Sequence, residues 1–150
     1  MNIAKLRVDL ELDEGCKHEI YKDHLGFFTL GIGHLIGTND PEFGEPVGTP
    51  VSDERVQEAF ERDLDSVHLD CIKLYPDFDK LQEDAQLIIA NMMFNLGYPR
   101  LSGFKKMKAA VDAGDFEEAA NQMEDSKWYR QVPNRAERLC NRMRLLAVPF

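Results

Sequence analysis

The sequence predicts an α+β fold, and three patterns carry the prediction. Apolar residues recur at three- and four-residue intervals through Val56, Phe60, Leu64, Val67, Cys71 and Leu74, the period of a helix with one buried face. From Leu81 to Leu96 the chain is apolar nearly all round, as a helix buried on every side requires. Before both, from Ile20 to Asp23 and Phe27 to Ile32, apolar and polar residues alternate as in strands. Strands first and helices after predict a small antiparallel β-hairpin lobe and an all-helical lobe joined by one long helix, with a ligand-binding cleft between them. At 150 residues the chain fits one domain. Its expected parts are an N-terminal helix (1–14) packing with the helical lobe, a β lobe (15–51), the connecting helix (52–75) and the helical lobe (76–150).

In order, Asn2 is placed to cap the first helix, and Ile3, Leu6 and Leu10 share one of its faces. Gly15 suits the left-handed residue that follows a helix. Glu14 then stands at the negative end of the helix dipole, where the field disfavours its ionised form. His24-Leu25-Gly26 turns the hairpin, and Tyr21, Phe27 and Phe28 favour strands. The Gly- and Pro-rich stretch to Pro50 reads as loop with room for a short third strand. Ser52 caps the long helix, Asp53 and Glu54 complement its first turn, and Pro76 ends it. Shorter helices follow over 102–113 and 115–125, then a turn at 127–130. A last helix begins near Pro133, with Leu139, Cys140, Met143 and Leu146 inward and Asn134 as a candidate cap.

Composition excludes several classes. No apolar run approaches the roughly 20 residues that span a bilayer, and the N-terminus lacks a secretory signal, so synthesis in a cytoplasm without stable membrane association is expected. Three widely spaced cysteines, Cys16, Cys71 and Cys140, argue against a disulfide framework or a zinc site and for reduced thiols. A net charge of -9 argues against nucleic acid as a partner. From Lys127 onward six basic residues face one acid, Glu137. That run reads as a solvated helix pairing with the acidic remainder.

Polar chemistry concentrates between Glu14 and His34. Glu14, Asp23, Thr29 and His34 fall in this span, and Gly31 and Gly33 permit close backbone approach. Two carboxyl groups flanking a cleft suit glycosidic hydrolysis: one delivers a proton to the leaving oxygen while the other activates water or attacks the sugar. Spacing alone is weak evidence, because the chain carries 27 acidic residues.

The whole pattern is more specific. Glu14-Gly15, Tyr21-Lys22-Asp23 and the run from Gly26 to His34 closely resemble the phage-type lysozymes of the T-even endolysin family. Asn91 to Gly97 resembles that family's central helix, and Ser126 to Tyr129 with Gln131 to Ala136 its C-terminal signature. The resemblance covers almost the whole chain and is strongest over 14–34 and 126–136. It implies a single lysozyme-like domain and a muramidase that cleaves the β-1,4 bond between N-acetylmuramic acid and N-acetylglucosamine in peptidoglycan. It also implies an inverting reaction with carboxyl groups about 6.5–9.5 Å apart, and no metal or organic cofactor. By the same resemblance Glu14 is the general acid, Asp23 the second carboxylate and Thr29 a holder of the attacking water. Leu35, Phe94, Phe104 and Gln122 are expected to bind substrate, and His34 to pair structurally with Asp63. Trp128 is expected in the core, and Arg135 to reach the cleft or an acid. The expected protein is a monomer that needs a separate membrane-permeabilising partner to reach the wall.

The sequence departs from the family pattern in four places. The 35–50 loop is shorter, the first helix starts earlier relative to Glu14, Met107 and Gln122 replace familiar polar residues, and the charge is acidic where well-known relatives are basic. Two other readings compete with hydrolysis: lytic transglycosylase cleavage, and a non-catalytic glycan- or protein-binding module on the same fold.

Overall fold

A computed structural model describes residues 1–148. It is α+β, with a three-stranded antiparallel sheet in the order β1-β2-β3 and a succession of helices. Two compact units divide it. The first is Ile3–Ser66, and the second holds Met1–Asn2 and the chain from Val67 onward.

The first unit opens with α1 (Ile3–Glu14), whose Leu6 and Leu10 are fully buried while Leu12 stays exposed. Two such leucines each contribute about 1.5–3 kcal/mol by leaving water. The Arg7 guanidinium lies 5.0 Å from the Phe60 ring centroid and donates to Gln57 at 2.6 Å, which ties α1 to α2 (Asp53–Leu74). The first helix therefore belongs to the same compact unit as the sheet. Gly15 takes φ 72° and its N–H returns to the Glu11 carbonyl at 2.9 Å, closing the helix as expected.

The strands β1 (Lys17–Lys22), β2 (Phe28–Gly31) and β3 (His34–Leu35) form the sheet. Ile20 faces Leu30, Tyr21 faces Thr29 and Lys22 faces Phe28, with an irregularity between Lys17 and Ile20. One face carries buried Ile20 and Leu30. The outer edge of β1 is not left open: Ile20 bonds the Thr49 carbonyl and Val51 bonds the His18 carbonyl, both at 2.9 Å. Ser52 caps α2 as expected, its hydroxyl accepting the Arg55 N–H at 3.1 Å.

In the second unit, α3 (Glu83–Leu96) is buried along its whole middle, from Ala85 to Met93. Its two buried polar side chains are satisfied. Gln86 donates to the carbonyls of Asp79 and Leu81, and Asn91 accepts from Arg135. The helix expected over 102–113 is α5 (Lys105–Asp112); a short α4 (Tyr98–Leu101), which the sequence reading did not name, precedes it, and Ser102 and Gly103 turn the chain between them. Then come α6 (Phe116–Glu124), capped by Asp115, and α7 (Lys127–Gln131), capped by Ser126. In α8 (Pro133–Leu145) the cap position is Val132 and Pro133 takes the first turn, so Asn134 lies inside the helix rather than capping it. Trp128 is buried, and its indole N–H donates to Asn95 at 2.8 Å, as a core residue should. The basic C-terminal run does pair with acids: Arg142 meets Asp84, and Arg144 meets Glu117 and Glu124. Cys71 and Cys140 are buried free thiols, each pushed up to about 12 chiefly by burial, whereas Cys16 is exposed.

Where β2 meets α2 the spacing leaves no room for a side chain. Gly31 has φ 60°, and a Cβ there would stand 2.8 Å from Val56 Cγ1. Gly31→Ala is expected to cost about 1–3 kcal/mol from overpacking. A urea titration of both proteins should show the lowered midpoint.

Candidate active site

Glu14, Asp23 and Thr29 all lie in the first unit, on the helix end, the hairpin turn and the second strand. The chain after β2 makes a tight turn through Gly31, Ile32 and Gly33. Both glycines have positive φ, 60° and 67°, and Ile32 is buried between them. Gly33 thereby meets the Glu14 side chain: a Cβ on it would lie 3.0 Å from both Cδ and Oε2 of the carboxyl group. Glycine is required at this position because the carboxyl occupies the space a methyl would need.

Asp23 is fixed by its own turn. One carboxylate oxygen, Oδ1, accepts the backbone N–H groups of Leu25 and Phe27, each at 2.9 Å. The Asp23 N–H bonds the Phe27 carbonyl, and the Gly26 N–H bonds the Asp23 carbonyl, also at 2.9 Å. The second oxygen, Oδ2, has no hydrogen-bond partner among the described residues. The turn thus orients the carboxylate plane and leaves one oxygen for a ligand or a water. Thr29 is 1 % exposed and donates its hydroxyl proton to the Phe27 carbonyl at 2.9 Å. Its oxygen keeps lone pairs that can accept, so Phe27 joins Asp23 to Thr29 through its two backbone groups.

Tyr21 stands opposite Thr29 on the neighbouring strand. Its ring lies 4.5 Å from Lys17 Nζ. Burial raises the phenol above its usual value, the Glu14 charge adds to this, the Gly33 N–H opposes it, and Asp23 and Cys16 add further. The hydroxyl therefore stays protonated at neutral pH. Tyr21 was part of a recognised motif, but nothing in its spacing signalled this placement.

His34 pairs with Asp63 as expected, Nδ1 to Oδ2 at 2.8 Å, and also meets Asp40 through Nε2 at 2.9 Å. Asp40 in turn accepts from the Gly37 N–H at 2.8 Å and from Arg55, whose guanidinium also takes Glu42 through two bonds of 2.9 and 3.0 Å. Asp40, Glu42 and Arg55 gave no signal in the sequence. They pin the Gly- and Pro-rich loop to α2. Burial pulls the His34 pKa down, but the hydrogen bonds and charges of Asp63 and Asp40 outweigh it, so the net shift is upward. For Asp40, burial raises the carboxyl, and the Gly37 N–H with His34 and Arg55 brings it below its usual value. The Arg55 hydrogen bond lowers Glu42 in the same way.

The expected substrate contacts are spread over both units. Leu35, on β3 opposite Thr29, is 58 % exposed and open to contact. Phe94, Phe104 and Gln122 belong to the second unit and are half-buried. Phe104 and Gln122 line one groove of about 400 Å³ with Met107, Lys105, Asp125 and Ser126, and Gln122 donates to Glu118 at 2.7 Å. Phe94 is not among the groove residues. Arg135 is buried and donates to the Asn91 side chain at 2.8 Å, a polar partner the sequence reading did not name.

A helix that ends on a carboxyl packed against a glycine turn is followed by a hairpin that holds another carboxylate by backbone N–H groups, on an α+β scaffold. A family model described as Phage lysozyme matches residues 11–144. The chain belongs to the phage lysozyme family. It is 31% identical over 157 residues to Probable T4-type lysozyme 2 of Dictyostelium discoideum, covering 91% of this chain and 92% of that one. It is 32% identical to the Pre-baseplate central spike protein Gp5 of Enterobacteria phage T4, over 93% of this chain and 27% of that protein. It is 29% identical to the Peptidoglycan hydrolase gp36 of Pseudomonas phage phiKMV, over 95% of this chain and 15% of that protein.

The His34 cluster gives a signed pH dependence. His34 binds its proton more tightly folded than unfolded. Its contribution is complete below the unfolded value of about 6.5 and is lost as pH rises through the raised folded value. Asp40 and Glu42 act on the other side, contributing above their unfolded values and losing that contribution as pH falls through the lowered ones. Unfolding free energy measured across pH should fall on the alkaline side by about 1–3 kcal/mol, and His34→Asn should flatten that fall.

Proposed function

We propose that this protein is a muramidase that hydrolyses the β-1,4 bond between N-acetylmuramic acid and N-acetylglucosamine in peptidoglycan, with inversion at the anomeric carbon. The observation that carries the reading is the pair of carboxyl groups in different settings: Glu14 packed on the Gly33 backbone, and Asp23 tethered through one oxygen only. Family membership and the hydrolase relative support the substrate class.

In this reading Glu14 donates its proton to the glycosidic oxygen as the C–O bond breaks. A water on the opposite face of the sugar attacks the anomeric carbon. That water donates one hydrogen to Asp23 Oδ2, the oxygen the turn leaves without a partner, and the other to Thr29 Oγ1. Its lone pair is then aimed at carbon. Asp23 takes up the water's proton, so the proton lost from Glu14 is balanced by one gained at Asp23. Thr29 is buried, and in this reading its hydroxyl contacts the water rather than the sugar ring. Inversion requires a carboxyl separation of about 6.5–9.5 Å, enough for this water. Leu35, Phe94, Phe104 and Gln122 are proposed sugar or peptide contacts. On this reading the enzyme is made in a host cytoplasm, acts as a monomer and reaches the wall through a separate membrane-permeabilising protein.

The purified protein is expected to clear a peptidoglycan suspension and to release new reducing ends. Glu14→Gln should remove that activity while circular dichroism stays unchanged. An anhydro-muramic end in the mass spectrum of the products would instead mean transglycosylation, and glycan binding without bond cleavage would mean a non-catalytic module. Gly33→Ala should lower turnover on the order of 100-fold, because displacing a catalytic group by about 1 Å costs that much. Reducing-end release by the folded variant is the measurement.

A further inference from the structure

We propose that Phe27 is a sugar-binding residue, its exposed ring a platform on which a pyranose of the glycan strand stacks beside Asp23 and Thr29. The inference rests on the reading of Asp23 and Thr29 as the groups that hold the attacking water, and adds a subsite next to them.

The register of the hairpin decides which side chains share a face. Tyr21 pairs with Thr29, and Thr29 with Leu35. Lys22 pairs with Phe28, so the next position along each arm sets Asp23 opposite Phe27, where the Asp23 N–H bonds the Phe27 carbonyl at 2.9 Å. Side chains alternate across a strand. Tyr21, Asp23, Phe27, Thr29 and Leu35 therefore belong to one face, and Ile20 and Leu30 to the buried one. On the first face Phe27 is 57 % exposed. Among the described residues its ring has no aromatic or cationic partner, whereas the ring of Phe28, of the opposite parity, lies 5.7 Å from Lys22 Nζ.

The ring is exposed, but its backbone is fixed. The Phe27 N–H donates to Asp23 Oδ1, and the Phe27 carbonyl accepts from the Asp23 N–H and the Thr29 hydroxyl, all at 2.9 Å. The bonds that orient Asp23 and Thr29 thus also fix where the ring starts. An apolar surface held beside polar groups suits a pyranose, which has an apolar C–H face and a rim of hydroxyls. Its C–H hydrogens carry partial positive charge and meet the negative face of the aromatic ring. Two residues along a strand span about 6–7 Å. The ring therefore serves a sugar next to the one whose anomeric carbon receives the water. The contact is the same in bound substrate and in the transition state, so it strengthens binding without changing turnover. The ring carries no charge, so the contact does not depend on ionic strength.

The test uses the full chain with soluble, uncross-linked glycan strands. F27A removes the ring and leaves every backbone hydrogen bond of the turn in place. KM should rise about five- to ten-fold, by the same factor at low and high salt, with kcat and the thermal midpoint unchanged. F27W should restore KM, and F27L should not, because leucine supplies apolar volume without a flat face. Calorimetric binding of the same strands to E14Q, with and without F27A, reads the contact in the absence of turnover, and F27A should weaken it by the same factor. Parental KM and strand affinity in F27A, a loss confined to kcat, a loss that tracks a lowered thermal midpoint, or equal rescue by F27L and F27W each overturns the inference. If the parent protein releases no reducing ends while F27A still weakens strand binding, the hydrolase reading falls and the sugar contact stands. If reducing ends appear and F27A changes neither KM nor affinity, only the inference falls.

Discussion

The candidate site depends on a two-residue spacing of glycines with no room for anything larger. Gly31 lets the sheet close on Val56 of α2, and Gly33 lets the backbone close on the Glu14 carboxyl. Ile32, between them, is buried and anchors the turn. A side chain at either glycine would meet both an unfavourable left-handed backbone and an occupied volume. The same short segment therefore seats the sheet on one side and positions the helix-end carboxyl on the other. The sheet packing and the Glu14 contact share this turn, so loss of packing there would also displace that carboxyl.

The two carboxyl groups differ in how they are held. Asp23 is bound by local backbone, within four residues of itself, so its orientation is a property of the hairpin turn alone. Glu14 meets the backbone of Gly33 in a non-local contact. A carboxylate oriented by its own turn tolerates change elsewhere in the fold, whereas one placed by tertiary contact does not. The hairpin, the turn and the end of α1 must assemble together before the pair exists.

Charge is organised differently from its distribution along the chain. The sequence divides into an acidic stretch and a basic C-terminal run, but the structural units divide otherwise. Residues 3–66 carry fifteen acidic against six basic residues, while the rest of the chain is balanced. Within the second unit Arg142 pairs with Asp84, and Arg144 with Glu117 and Glu124. The first unit uses Arg55 and His34 to hold Asp40, Glu42 and Asp63, and still keeps a large negative excess. An anionic polymer approaching the carboxyl pair meets that excess directly, so contact geometry rather than long-range attraction must carry its binding.

The sequence by itself determined the α+β class, the long helix, the buried central helix, the hairpin and the Glu14-Gly15 helix end. Each of these is written in a period or a cap only a few residues long, and local sterics enforce it. The motif around Asp23, Thr29 and the His34–Asp63 pair was legible for a different reason: the residues stand in a pattern already known from a family. Tertiary structure alone decided the rest. Arg55 with Asp40 and Glu42, and Asn91 with Arg135, join residues between 13 and 44 positions apart. The grouping of α1 with the sheet and the break between α4 and α5 also depend on which surfaces the folded chain brings into contact. A periodic pattern states which face of an element is apolar, but not which other element will cover it, nor which polar groups burial then obliges to find one another.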